Sequence, residues 1–260
     1  MIPNLLEVPL PFGLGTLPIH SFGVMMVLAF LAAWQRLYLS LQAANEDPAL
    51  AEQMVTWAAV GGIIGARIAY LLSYPKEFLA APLQTAFGGA GFVFYGGLFG
   101  GAFAVWLLLR RHKKAFFPMS DIVAPCLAVG YAVGRIGCQL SGDGDYGRSS
   151  ILPWAMEYSL GVVPTQAGEL HHPAPVYETF LALAIACLLV SAWGQRKLNK
   201  TGQIFGMYLL LSACARFLVE LIRVEPRVIG ALTQAQLVSI ALSLIGLFLI
   251  AKPRKMSVGT

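Results

Sequence analysis

The stretch TQAQLVSIALSLIGLFLIA, Thr233–Ala251, carries no charge over nineteen positions and is followed at once by Lys252, Arg254 and Lys255. A bilayer core of about 30 Å takes roughly 20 apolar residues in helical form. A barrel strand would instead alternate apolar and polar side chains over about 10 residues, and this run does not alternate. It reads as a membrane-spanning helix. Six more runs of the same kind precede it, at Ile19–Ser40, Met54–Tyr74, Gly91–Leu109, Asp121–Leu140, Pro175–Trp193 and Gln203–Ile222. Together they predict an all-α polytopic membrane protein, a bundle of about seven transmembrane helices.

The composition of the whole chain agrees. Of 260 residues, 57% are apolar and only 12% charged, and the mean hydropathy is +0.69. A soluble domain carries roughly 25% charged residues because its surface faces water. Disorder and a collagen-like repeat are excluded by the same arithmetic. No internal repeat and no linker-like segment breaks the chain, so residues 1–260 read as a single integral membrane domain. Glu7 lies where a signal peptide would carry positive charge, so the first apolar run reads as a retained span.

Lysine and arginine placement orients the bundle, since cytoplasmic loops carry the excess. One set of helix ends holds Arg36, Arg110, Arg111, Lys113, Lys114, Arg196, Lys197, Lys200, Lys252, Arg254 and Lys255, and the other only Lys76, Arg148, Arg223 and Arg227. Eleven against four puts the C-terminus in the cytoplasm and, with seven spans, the N-terminus outside. The net charge of +5 is accounted for by this asymmetry, and no nucleic-acid partner is implied. Residues 141–174, between the fourth and fifth spans, are rich in Gly, Pro and polar side chains and read as an external cap.

Charges inside spans are costly, about 2.5–3.5 kcal/mol on insertion scales, and tend to face a cavity with a partner. Arg67, Arg135 and Arg216 are such charges. Arg216 and Glu220 stand four residues apart, on one helical face, and are able to pair. Glu220 is the one deep carboxylate, with Asp121 at an inner edge and Glu178 near an outer one. Arginine without a partner at that level suggests an anionic lipid head group, because the guanidinium fork matches phosphate oxygens. Cys126, Cys138, Cys187 and Cys214 read as small buried residues, and no zinc-type Cys/His spacing occurs. The pairs Gly61-Gly62, Gly88-Gly89, Gly96-Gly97 and Gly100-Gly101 read as helix-packing faces.

One segment mixes these features. It runs Gly134-Arg135-Ile136-Gly137-Cys138-Gln139-Leu140-Ser141-Gly142-Asp143-Gly144-Asp145-Tyr146-Gly147. It resembles the signature of the prolipoprotein diacylglyceryl transferases: Gly-Arg-Ile-Gly, a Gly-acidic pair, then aromatic-Gly. Four more matches follow the family's order. Ile19–Phe30 resembles the first-span motif, Gly65–Tyr70 the Gly-x-Arg-x-x-Tyr element, His172–Glu178 the His-Pro-x-x-x-Tyr-Glu motif, and Arg216–Arg223 the Arg-Phe-x-x-Glu-x-x-Arg motif.

The resemblance implies an enzyme of the bacterial inner (cytoplasmic) membrane with its active site opening to the outer leaflet. It would move the diacylglyceryl group of phosphatidylglycerol to the thiol of a lipobox cysteine in a prolipoprotein signal peptide, releasing glycerol phosphate. It implies no cofactor and no metal. Carried over, Arg135 and Arg216 grip the phosphate and Glu220 orients Arg216. Asp143 takes the acidic signature position, and Tyr177 and Glu178 belong to the outer rim. Substrate contacts are further expected at Phe22, Arg67, Gly97, Gln139 and Gly142, and at Asp145, Gly147 and His172.

Three departures from the family pattern stand out. Where known members have Phe-His-Gly-Gly in the third span, this chain has Phe94-Tyr95-Gly96-Gly97, which makes Tyr95 the candidate proton handler, with His171 and His172 as alternatives. Cys138 replaces the usual Asn. The signature loop is one residue longer and has two carboxylates, so Asp143 and Asp145 both remain candidates for the acidic role. Two other classes fit buried Arg and Glu: a small-solute or ion transporter, and an assembly factor on the same scaffold with altered catalysis. Transporters commonly show paired inverted repeats, which the sequence does not display.

Overall fold

The computed structural model describes residues 1–9, 16–87, 93–191 and 200–252. The chain is mostly helical. Among the described residues its helices are α1 (Ser21–Ala43), α2 (Leu50–Ser73), the short α3 (Pro75–Ala80) and α4 (Pro82–Phe87), α5 (Phe94–Arg111) and α6 (Phe116–Ser141). They continue with α7 (Ala174–Val190), α8 (Gln203–Glu220) and α9 (Gln234–Ala251). Each of the seven expected apolar runs overlaps a helix over its described residues. Five of the helices, α1, α2, α6, α8 and α9, are long and apolar enough to cross a membrane, and α7 is a shorter apolar helix. Among residues expected to mark these spans or their ends, Gly88-Gly89, Gly91, Trp193, Arg196, Lys197, Arg254 and Lys255 lie outside the described residues.

The all-α expectation needs one correction. Three short antiparallel ribbons occur outside the long helices: β1 (Asn4–Pro9) with β2 (Thr16–His20), β3 (Met156–Glu157) with β4 (Leu170–His171), and β5 (Arg227–Ile229) with β6 (Leu232–Thr233). Each lies in a connection or terminal segment, where backbone groups must find partners without a helix.

The long helices bear large apolar side chains on their outer faces, such as Leu72 at 76% exposure and Leu244 at 63%. Core-sized side chains turned outward suit a hydrocarbon solvent. Cys187 and Cys214 share this outward placement, contrary to the expectation that all four cysteines are buried.

The chain forms two compact units, residues 37–119 and residues 1–36 with 120–260. In the smaller unit α2 and α5 cross on glycine. A methyl group added to Gly65 would come within 2.8 Å of the Gly100 Cα and closer still to the Gly96 carbonyl. One added to Gly62 would meet nothing nearer than the Gly97 carbonyl, at 3.5 Å. Gly65→Ala is therefore expected to lower the melting temperature in detergent, by overpacking worth about 1–3 kcal/mol. Gly62→Ala is expected to leave it unchanged or slightly raised. Equal melting of both variants would show that the crossing does not depend on Gly65.

In the larger unit α6, α7 and α8 share a core of Ala124, Ala128, Ile185, Ala186 and Leu189, packed against Tyr208 and Leu211. The start of α8 is held from α6: the Asp121 carboxylate accepts from the backbone N–H groups of Gly202 (2.6 Å) and Phe205 (2.8 Å). These are donors a helix N-terminus leaves without an intrahelical partner. α9 runs back along α8, with Gly206 against Gly246 and the Gln203 amide donating to the Ile250 carbonyl at 3.2 Å. As a result the C-terminal ends of α6 and α8 and the N-terminal ends of α7 and α9 meet at one end of this unit.

Candidate active site

Four helix ends converge on an arginine–carboxylate network. Arg135, two turns before the end of α6, pairs with Asp145 in the signature loop and with Glu178 on α7. Arg216 on α8 pairs with the same Glu178 at 2.7 Å and with Glu220 at 3.0 Å. Arg223, just past α8, reaches Asp145 at 2.7 Å and Glu225 at 2.6 Å, with Glu220 at 3.7 Å. The sequence pair Arg216–Glu220 is thus one edge of a larger lattice.

Two expectations are corrected here. Arg135 and Arg216 are not left without carboxylate partners, because Asp145 and Glu178 fold onto them from outside the spans they occupy. Glu178, expected at the rim, is buried at 3% exposure and joins both arginines. Its Oε1 also accepts from the Tyr131 hydroxyl at 2.8 Å, and Tyr131 in turn accepts from Arg135 Nε at 3.1 Å. Neither Tyr131 nor the depth of Glu178 was visible in the sequence. Tyr131 stands four residues before Arg135, which was the one available signal.

The guanidiniums differ in what they have left to offer. Arg135 spends Nε on Tyr131 and Nη1 on Asp145 and on the Cys138 sulfur at 3.3 Å, and it is buried. Arg216 is the more open, with 28% of its side chain exposed, and spends one contact on each of two carboxylates. A guanidinium carries five N–H donors. Among the described residues, Arg216 therefore retains donors for a ligand, while Arg135 is braced.

The two loop carboxylates separate clearly. Burial would raise Asp145, but Arg135 and Arg223 outweigh it and hold the carboxyl down at about 2, so it is ionised at neutral pH. Asp143 is raised by burial, an effect opposed by its hydrogen bond with the Cys138 thiol, and its Oδ1 accepts from the Asp145 N–H at 3.3 Å. Cys138, Asp143 and Asp145 offer donor atoms within 4.8 Å of one another. Asp145 is already committed to two guanidiniums, and Cys138 and Asp143 lie beside that pairing.

The signature glycines shape the loop. Gly142 has φ +61° and lies so close to Gly161 that an added methyl would sit 2.7 Å from its Cα. Only glycine meets both demands without strain. The loop is then tied to residues 161–163 by Val162 N–H to the Ser141 carbonyl and Val163 N–H to that of Gly142, both 2.9 Å. Gly147 donates to the His172 carbonyl at 2.8 Å and packs against the Ile222 carbonyl.

The remaining expected contacts divide between the two units. Gln139 accepts from Tyr158 at 2.8 Å, and burial pushes the Tyr158 phenol up to about 12. Tyr177 accepts from Trp154 Nε1 at 2.7 Å and lies 3.3 Å from His172 Nδ1. His171 Nδ1 is 2.9 Å from the Gly147 carbonyl. Both histidines therefore fasten residues 147–149. Phe22, on α1, lies beside Gly137. Tyr95, Gly97 and Arg67 belong to the smaller unit. There Gly97 faces Gly62, and Arg67 donates to the Thr85 carbonyl and lies over the Tyr70 ring.

Fold and lattice define a class, a multi-pass helical membrane protein with a buried arginine–carboxylate network at one end of its larger unit. The sequence model of the prolipoprotein diacylglyceryl transferases matches residues 9–252, and the chain belongs to that family. It is 33% identical to the phosphatidylglycerol–prolipoprotein diacylglyceryl transferase of Chromohalobacter salexigens, over 96% of this chain and 94% of that one. It is 34% identical to the protein of the same name from Nitratidesulfovibrio vulgaris, over 93% of both chains. With the Pseudomonas paraeruginosa protein, again of that name, the identity is 33% over 93% of this chain and 91% of the other.

Proposed function

We propose that this protein transfers the diacylglyceryl group of phosphatidylglycerol to the thiol of a lipobox cysteine in a prolipoprotein signal peptide. The observation that carries this reading is the joining of Arg135 and Arg216 through one buried carboxylate, Glu178, in a chain of this family. A thiolate sulfur would form a bond to the terminal glyceryl carbon while the carbon–oxygen bond to phosphate breaks. The electron pair leaves with the phosphate oxygen, and the thiol proton passes to an acceptor. The phosphodiester, with one charge, becomes a glycerol phosphate monoester with a second ionisable oxygen. Guanidinium donors fixed before the reaction stabilise that growing charge without reorganising.

In this reading Arg216, the more open arginine, meets the phosphate directly, and Arg135 does so from a braced position. Glu220 orients Arg216, and Asp145 fills the acidic signature position because it is the loop carboxylate that the arginines hold. Asp143, beside Cys138, stays a candidate for contact with substrate, as do Gln139, Tyr177 and Phe22. The protein would be one integral membrane domain over residues 1–260. Its seven spans would place the N-terminus and the segment 141–174 outside and the C-terminus in the cytoplasm. The site would then open to the outer leaflet, where lipid arrives laterally and the signal peptide from outside.

Parts for Tyr95, Gly97 and Arg67 rest on the motif match. The lipobox thiol, with an ordinary pKa of about 8.5, must lose its proton to attack. If Tyr95 takes part, Tyr95→Phe is expected to reduce turnover by about a hundredfold, the low end for proton-transfer catalysis. His171→Ala is expected to reduce thermal stability more than turnover, because His171 holds the Gly147 carbonyl. Parental turnover in Tyr95→Phe would leave that hydroxyl without a chemical part.

The test of the whole reading uses purified protein, phosphatidylglycerol and a synthetic lipobox peptide. The expected products are a peptide carrying the diacylglyceryl mass on its cysteine and free glycerol phosphate. Absence of both, with a family relative active in parallel, overturns it.

A further inference from the structure

We infer that Thr233 is a positioning residue for Arg216, acting through Glu220, an inference that rests on the transferase reading above. Thr233 is the N-cap of α9. Its hydroxyl accepts from the Gln236 N–H at 3.3 Å, and the Gln236 side chain accepts from the Thr233 N–H at 3.1 Å. That reciprocal pair is a capping box. The same hydroxyl gives its single proton to Glu220 Oε1 at 2.8 Å. A hydroxyl has one proton to give and lone pairs to receive with, so the two tasks do not compete.

Glu220 is enclosed at 4% exposure, and Thr233 and Gln236 are buried with it. Thr233 holds one carboxylate oxygen, and the other faces Arg216 Nη2 at 3.0 Å and Arg223 Nε at 3.7 Å. Fixing Oε1 therefore fixes the plane in which Oε2 meets Arg216. Capping by itself does not require threonine, since Asp, Asn and Ser serve as well or better. An aspartate would cap α9 yet bring a second carboxylate, instead of a proton, against Glu220. The sequence shows Thr233 and Gln236 as the start of an apolar run, and the tie of Thr233 to a residue thirteen positions earlier comes only from the fold.

The test measures KM for phosphatidylglycerol, kcat and melting temperature for the parent, Thr233→Ser, Thr233→Val and Thr233→Asp, all as full chains in detergent. Thr233→Ser is expected to stay within about threefold of the parent in kcat/KM, because it keeps both acceptor and proton. Thr233→Asp keeps the cap but buries a second carboxylate against Glu220, so it is expected to melt below the parent and to raise KM by about tenfold or more, as loss of a hydrogen bond to a charged group predicts. Thr233→Val is expected to lose both.

A pH series separates positioning from a general structural role. Among the described residues, the charged groups paired with Glu220 are Arg216 on α8 and Arg223 just beyond it, and Thr233 at the start of α9 meets it with a neutral hydroxyl. Two carboxylates side by side raise one another's proton affinity. In Thr233→Asp a proton shared as pH falls replaces the lost donor, so its KM deficit relative to the parent is expected to narrow toward lower pH. An active parent with parental KM in both Thr233→Asp and Thr233→Val overturns the role and leaves the transferase reading standing. Lower melting temperatures in both, with KM left at the parental value, would make Thr233 a helix cap and nothing more. A parent that transfers nothing overturns the transferase reading, and this role with it.

Discussion

Arg216→Ala is expected to abolish diacylglyceryl transfer, or reduce it by at least about a hundredfold, the scale on which one preorganised donor to a developing anion acts. Arg216 is the more open of the two arginines that share Glu178, and its remaining N–H groups are available to a phosphate. Removing it also strips one guanidinium from both Glu178 and Glu220. Arg135→Ala is expected to be equally inactive for a further reason, since Arg135 also anchors the signature loop through Asp145. Both proteins should still insert, because their apolar helices are untouched. Transfer to a lipobox peptide by membranes holding equal amounts of each variant is the measurement. Full activity in either variant would remove the phosphate-gripping role assigned to that arginine.

Glu178→Gln is expected to damage both activity and stability. The glutamine is nearly the same size, so packing survives while the charge goes. Two guanidiniums then face a neutral amide inside a site where Glu178 was 3% exposed. Breaking a buried pair by removing one partner costs about 3–5 kcal/mol. The melting temperature in detergent should fall, and turnover should fall with it, because Arg135 and Arg216 lose their common reference. Glu225→Gln makes a useful comparison, as among the described residues that carboxylate pairs with Arg223 alone and is itself exposed, where an ion pair is worth about 0–1 kcal/mol. Parental melting in Glu178→Gln would mean the arginines are held by other means.

Much of the fold was legible because membrane solvent imposes long, uninterrupted apolar runs. Thr233–Ala251 in sequence and Gln234–Ala251 in structure differ by one residue at the cap. Local ion pairing was legible for the same sort of reason: Arg216 and Glu220 stand one turn apart and do pair. What stayed hidden joins residues far apart in the chain. Asp145 meets Arg223 across 78 positions, and Glu178 meets Arg216 across 38. Glu178 looked superficial because it stands only three residues into the expected span Pro175–Trp193, at its outer edge. In the structure α7 begins at Ala174, and the glutamate on its second turn points inward. The ribbons were also missed, since six short strands leave almost no periodicity to read.

The two fastenings of α8 have a mechanical meaning. At one end Asp121 grips the amides of Gly202 and Phe205, and at the other the arginine lattice holds Arg216 and Glu220. A rod pinned at both ends cannot slide along its axis or turn about it without breaking both joints together. α8 therefore behaves as a tie bar between the two ends of the larger unit.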